Sequence, residues 1–152
     1  MSESTRPIKA LGEVVLRVRD LDTMQAFYEK VVGVELLERY ENTMAFFRIA
    51  PDYESHTPSL ALFDQSDEAD HRSRHYDGLD PDKSTLHHMA FTISLSDYEA
   101  EKERLQNLGL DVETGEHSWV HYRSLYITDP EGNVVEFICY DASVRYKEAI
   151  SR

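Results

Sequence analysis

The chain is 152 residues long and carries 29 acidic against 16 basic side chains, a net charge of −13 at pH 7. That length fits one domain with a core of its own, and the acidic balance argues against a nucleic-acid partner. A single cysteine, Cys139, excludes an internal disulfide framework. No apolar run reaches the length of a membrane span, and the polar start Met1–Lys9 has no signal-peptide pattern, so a cytoplasmic protein is expected, with no membrane partner.

In chain order, the first expected element is a strand over Glu13–Val18. Period-two alternation puts Glu13, Val15 and Arg17 on one face and Val14, Leu16 and Val18 on the other. A helix follows, from a cap at Asp22 through Met24, Phe27, Tyr28 and Val31 to Gly33. Short strands come next and close with Ser59–Phe63. The segment Asp64–Leu86 is charged, poor in core formers and long for a connection, so it reads as a surface linker or a lid. His71 and His75 within it read as surface residues.

The pattern then repeats. A strand over His88–Ile93 sets His88, Ala90 and Thr92 against Met89, Phe91 and Ile93. The capping box Ser96-Asp97-Tyr98-Glu99 starts a helix that carries Leu105 and Leu108 and stops at Gly109. Leu125–Ile127 and Val134–Ile138 form a hairpin on the turn Asp129-Pro130-Glu131-Gly132, where proline presets the second turn position and glycine takes the fourth. On the last strand Glu136, Ile138 and Tyr140 oppose Val135, Phe137 and Cys139. Ala142–Arg152 reads as a short helix.

The fold class is therefore α+β: two tandem βαβββ units forming a curved, partly open mixed sheet with helices on the outer face. The whole chain, 1–152, is expected as a single domain, with unit 1 at about 10–64, a linker at 65–86, unit 2 at about 87–141 and a C-terminal helix at 142–152. An open sheet leaves edge strands in need of cover, which predicts a homodimer.

Glu136 sits inside an apolar strand, where a carboxylate is costly to bury unless it is paired or bound to a metal. Glu13 and His88 take the same place in the two copies of the repeat, and with Glu136 they would converge on the polar face. Carboxylates and an imidazole with open positions suit a catalytic divalent ion such as Fe(II), Mn(II), Ni(II) or Zn(II). The plainer readings are an ion pair of Glu13 with Arg17 or Arg48 and a backbone-bonded core histidine at 88. His87 is expected to point to the opposite side.

These features resemble the vicinal oxygen chelate superfamily, which includes glyoxalase I, bleomycin resistance proteins and extradiol dioxygenases. The segment from Gly115 through His117, Leu125-Tyr126, Asp129-Pro130 and Gly132 to Glu136 is similar to the extradiol dioxygenase pattern. By that resemblance Glu136 is an iron ligand, and His117 and Tyr126 contact the substrate or its oxygen. The first ligand of that family is normally histidine, whereas this chain has Glu13. Two glutamates resemble glyoxalase I, but that enzyme has a further carboxylate at the place of Ser59.

The leading expectation is an Fe(II)-dependent ring-cleaving dioxygenase acting on a small aromatic diol. His117 or His56 would move protons, Tyr126 would hold an oxygen, and Ser59, Trp119 and His121 would line the substrate site. Two alternatives stay open: a glyoxalase-type lyase or isomerase, in which the metal stabilises an enediolate, and a metal-free protein that binds a drug or metabolite. For Tyr126 the plainer reading is a strand aromatic. For His117, Trp119 and His121 it is a loop packed on the sheet rim, and for His56 an exposed turn.

Overall fold

The structure, a computed structural model, describes residues 7–66 and 76–145. Two compact units divide the chain, Met1–Gly78 and Leu79–Arg152.

In the first unit, strand β1 (Glu13–Val18) leads into helix α1 (Leu21–Phe27). The N-cap is Asp20, two residues before the expected Asp22. Its carboxylate accepts from the Thr23 amide at 3.0 Å and from the Thr23 hydroxyl at 2.7 Å, satisfying one of the orphan donors of the first turn. The helix loosens into a π-helical turn, Tyr28–Val32, and ends at Gly33. There φ is 83°, a left-handed value suited to glycine, and the Gly33 amide donates to the Tyr28 carbonyl at 2.9 Å. Strands β2 (Glu35–Tyr40), β3 (Met44–Arg48) and β4 (Ser59–Asp64) complete a sheet of order β1-β4-β3-β2. β1 runs parallel to β4, with Glu13 opposite Ser59. Leu16 and Val18 are buried with Met24, Tyr28, Phe47, Leu60 and Leu62, while Val15 is exposed, as the alternation along β1 requires.

The second unit repeats the plan. Strand β5 (Met89–Thr92), a 3-10 turn (Leu95–Asp97) and helix α2 (Tyr98–Asn107) precede β6 (Glu113–His117), β7 (Tyr122–Thr128) and β8 (Val134–Tyr140). The sheet order is β5-β8-β7-β6, with β5 parallel to β8. The expected capping box at Ser96 does not form. The 3-10 turn takes its place, and Asp97 caps α2 without a side-chain bond. Leu105 is fully buried, but Leu108, beyond the helix, is exposed. Leu125, Ile127, Val135, Phe137 and Cys139 form the core of this unit together with Tyr98.

The hairpin turn is built as the sequence predicts. The Gly132 amide donates to the Asp129 carbonyl at 3.0 Å, closing the turn. The buried Asp129 carboxylate also accepts from the amides of Glu131 and Asn133 and from the Asn133 side chain.

The fold is thus α+β, two tandem βαβββ units whose strands form two four-stranded mixed sheets. His71, His75 and residues 146–152 of the expected C-terminal helix lie outside the described residues, and residues 142–145 form a turn on Asp141. Among the described residues no helix is long and apolar enough to cross a membrane.

Candidate functional site

In unit 2 the face of the sheet away from the Leu125, Ile127, Val135 and Phe137 core collects the chemistry. Strand register fixes its members: Ala90 opposes Glu136, Glu136 opposes Tyr126, and Tyr126 opposes Glu113 across the ladders of β5, β8, β7 and β6. Gly115 and His117 are on the same face of β6, because side chains two residues apart point the same way.

Glu136 is the most constrained group there, with its side chain 4% exposed at the centre of β8. A carboxylate so placed needs a countercharge or a cation. His88 answers first: its Nε2 lies 3.0 Å from Glu136 Oε2, and its own side chain is 38% exposed. His88 stands immediately before β5 rather than opening it. For that reason His87, expected to face away, does not follow the strand alternation. Its Nδ1 lies 2.8 Å from His88 Nδ1, and the two rings meet edge to face at 5.1 Å.

The 3.0 Å contact of His88 with Glu136 is that of a direct hydrogen bond, and both side chains are donor types that divalent ions accept. An imidazole and a carboxylate also match the borderline character of Fe(II), Mn(II) and Zn(II). Among the described residues no group of three or more histidine, cysteine, aspartate or glutamate side chains is gathered for such an ion.

Beside this pair, His117 Nε2 lies 2.6 Å from the Tyr126 hydroxyl. Burial pushes the Tyr126 pKa up, the Ser124 hydroxyl opposes that, and the Glu136 carboxylate adds to it. These effects favour the protonated hydroxyl, which shares a hydrogen bond with His117 Nε2. The Tyr126 ring lies edge to face with both His88 and His117, each at 6.4 Å. Gly115 makes the dyad possible. A Cβ there would lie 3.0 Å from Tyr126 Cε2 and 3.4 Å from His117 Nε2, so any side chain would occupy the space the two groups share. Trp119, 71% exposed, stacks edgewise on His117 at 5.1 Å. His121 turns elsewhere: it donates to the Val144 carbonyl at 2.7 Å and sits 5.9 Å from the Tyr140 ring.

In unit 1, Glu13 Oε2 accepts from the Ser59 hydroxyl at 3.0 Å. The Gly12 carbonyl receives both the Ser59 amide at 3.0 Å and His56 Nε2 at 3.2 Å, so His56 is tied to the backbone next to Glu13. Arg48, one of the cations weighed as a partner for Glu13, pairs with Glu35 and Asp52. Arg17 lies over the ring of Tyr76.

In the sequence His87 reads as pointing away from the site, and Gly115 has only its place at the start of the motif. The adjacent pair His87-His88 was the available signal for the observed placement of the first, and the glycine two residues before His117 for that of the second.

The family model of the Glyoxalase/Bleomycin resistance protein/Dioxygenase superfamily matches residues 10–137. Among solved structures, a lactoylglutathione lyase from Agrobacterium tumefaciens is 27% identical over 88% of this chain and 95% of that one, with a TM-score of 0.61. The fosfomycin resistance protein FosX from Listeria monocytogenes, solved as a variant with Mn(II) and 1S,2S-dihydroxypropylphosphonic acid, is 22% identical over 92% and 97%, with a TM-score of 0.65. A glyoxalase/bleomycin resistance protein/dioxygenase from Nocardioides is 19% identical over 97% and 92%, with a TM-score of 0.60. The last two likenesses concern the fold. With the repeat of βαβββ units and a family match over most of its length, the chain belongs to the glyoxalase/bleomycin resistance protein/dioxygenase superfamily.

Proposed function

We propose that the protein is a divalent-metal-dependent enzyme acting on a small substrate with two adjacent oxygens, and that its reaction is extradiol-type ring cleavage of an aromatic diol. His88 and Glu136 hold the ion, and Glu13 supplies a third donor on the strength of its repeat position in the sequence. Fe(II) is the preferred ion for this chemistry, and when bound it supplies a Lewis acid for the diol and a redox partner for O₂. The observation that carries the reading is the 2.6 Å contact between His117 Nε2 and Tyr126 Oη, on the strand register of Glu136.

The dyad can carry a proton from the substrate to His117 through Tyr126. As a substrate hydroxyl gives its proton to Tyr126 Oη, the proton already on Tyr126 passes to His117 Nε2. The buried hydroxyl favours its protonated form, so Tyr126 ends the step neutral and His117 ends it as imidazolium. Tyr126 keeps its oxygen toward the diol and orients it. Trp119 offers an exposed ring on which an aromatic substrate stacks. Both atoms of O₂ enter the ring-opened product, so no outside reductant is consumed. The test is oxygen uptake by Fe(II)-loaded protein with catechols of several sizes, followed with the appearance of a coloured ring-opened product.

A second reading has its own support. The Agrobacterium tumefaciens relative named above is a lactoylglutathione lyase, and two glutamates among the proposed ligands suit proton transfer at an enediolate. Ni(II)- or Zn(II)-loaded protein that isomerises a thiohemiacetal, with no oxygen uptake on any catechol, would establish that reading in place of the first.

A further inference from the structure

His87 contacts the proposed metal site without belonging to it. Its Nδ1 lies 2.8 Å from Nδ1 of His88, and the other nitrogen of His88 lies 3.0 Å from Glu136 Oε2. The three groups form a line in which His88 is bonded at both ends. Two ring nitrogens at 2.8 Å share one proton, so one donates and the other accepts.

For His88 to ligate through Nε2, that nitrogen must present a lone pair and the proton must sit on Nδ1. An acceptor is then needed at the Nδ1 position. His87 Nδ1 is within hydrogen-bond reach there, with its own proton on Nε2. With the His88 Nε2–H directed at Glu136 instead, the same contact runs the other way and His87 Nδ1 donates. The two arrangements differ in the direction of that one bond.

We infer that His87 is a positioning residue for the metal centre: it accepts the His88 Nδ1 proton, fixes the tautomer that exposes Nε2, and holds the ring toward Glu136. This rests on the proposed reading of His88 and Glu136 as metal ligands. A ligating histidine whose other nitrogen loses its partner typically binds metal about 10- to 100-fold more weakly. His87 precedes β5, is exposed, and lines a cavity of about 470 Å³ with Leu79, Pro81, Ser84 and Leu86. Substitution there removes no core packing.

The test compares Mn(II) and Zn(II) affinity by titration calorimetry for the full chain and for His87→Phe, His87→Asn and Glu136→Ala. Asparagine places an acceptor oxygen near the position of Nδ1, while phenylalanine keeps a ring without one. The expected result is a loss of about tenfold or more for His87→Phe, recovery in His87→Asn, and near-complete loss for Glu136→Ala. Long-range ¹H–¹⁵N spectra of the Zn(II) form are expected to show His88 protonated on Nδ1 and metallated on Nε2, with that preference weakened in His87→Phe. If Glu136→Ala abolishes binding while His87→Phe keeps wild-type affinity and the same His88 tautomer, the positioning role is overturned and the metal site stands. If Glu136→Ala binds as well as wild type, the metal site fails and the role of His87 falls with it.

Discussion

Tyr126 Oη and His117 Nε2 meet at 2.6 Å although their residues are far out of register. Tyr126 opposes Glu113 on β6, and His117 is four residues further along that strand, opposite Tyr122. Four residues of strand span about 13 Å, so the two side chains lean toward each other along the sheet. The position between them on that face is Gly115, where a Cβ would lie 3.0 Å from the tyrosine ring.

Filling that gap separates the dyad. Gly115→Ala is expected to lower kcat by at least about tenfold while leaving metal content unchanged, because the proton path breaks and the ligands do not. Steady-state rates paired with elemental analysis check it. Wild-type kcat in Gly115→Ala would show that the contact is not used.

Removing the hydroxyl alone is the milder change. Tyr126→Phe is expected to slow turnover at least about tenfold, roughly 1.4 kcal/mol of lost transition-state stabilisation. His117→Ala should cost more, since it deletes the final proton acceptor. The two variants combined should be slowed little beyond His117→Ala, as expected for groups acting in series. Additive losses would mean that each acts separately.

The buried turn predicts a stability effect away from the chemistry. The Asp129 carboxylate accepts three described hydrogen bonds, from the Glu131 and Asn133 amides and the Asn133 side chain. Asp129→Ala leaves those donors without it and should cost on the order of 2–4 kcal/mol in urea unfolding. A loss below about 0.5 kcal/mol, the range of a neutral surface change, would contradict that role.

Much of the fold was legible in the sequence because alternation and glycine stops are local signals. Leu16 and Val18, or Val135, Phe137 and Cys139, are buried as period two requires, and Gly33 and Gly109 end their helices with φ of 83° and 81°. What escaped was set by hydrogen-bond competition or lay outside the strands. Asp20 rather than Asp22 caps α1 because Thr23 presents both its amide and its hydroxyl to it. His87 escaped because alternation governs only residues inside a strand, and β5 begins at Met89. Of the candidate site, the pairing of His88 with Glu136 follows from a buried carboxylate's need for a partner. The His117–Tyr126 contact depends on a glycine gap across two strands, which spacing along the chain does not reveal.

Alkaline pH offers a further check. Burial raises the pKa of Tyr98 and Tyr126 above 10.0 and that of the Cys139 thiol above 9.0. These groups are neutral when protonated, so the unfolded chain loses its protons first. The stability they contribute is fully present below 9.0 to 10.0 and is lost as pH rises through the folded values. The melting temperature should fall from about pH 9 upward, and Cys139→Ala should lower it overall while removing the earliest part of the fall. A melting temperature that stays level to about pH 11 would contradict the shifts.

Everything proposed about chemistry depends on an ion at His88 and Glu136, and metal content measures that directly. Anaerobically purified protein, loaded with Fe(II) or Mn(II) and desalted, should retain about one ion per chain by elemental analysis. Glu136→Ala and His88→Ala should each lose most of it while keeping the wild-type circular dichroism spectrum, since paired ligands contribute jointly to affinity. Full retention by both folded variants, or no retention by the wild type, would contradict a metal centre at these residues.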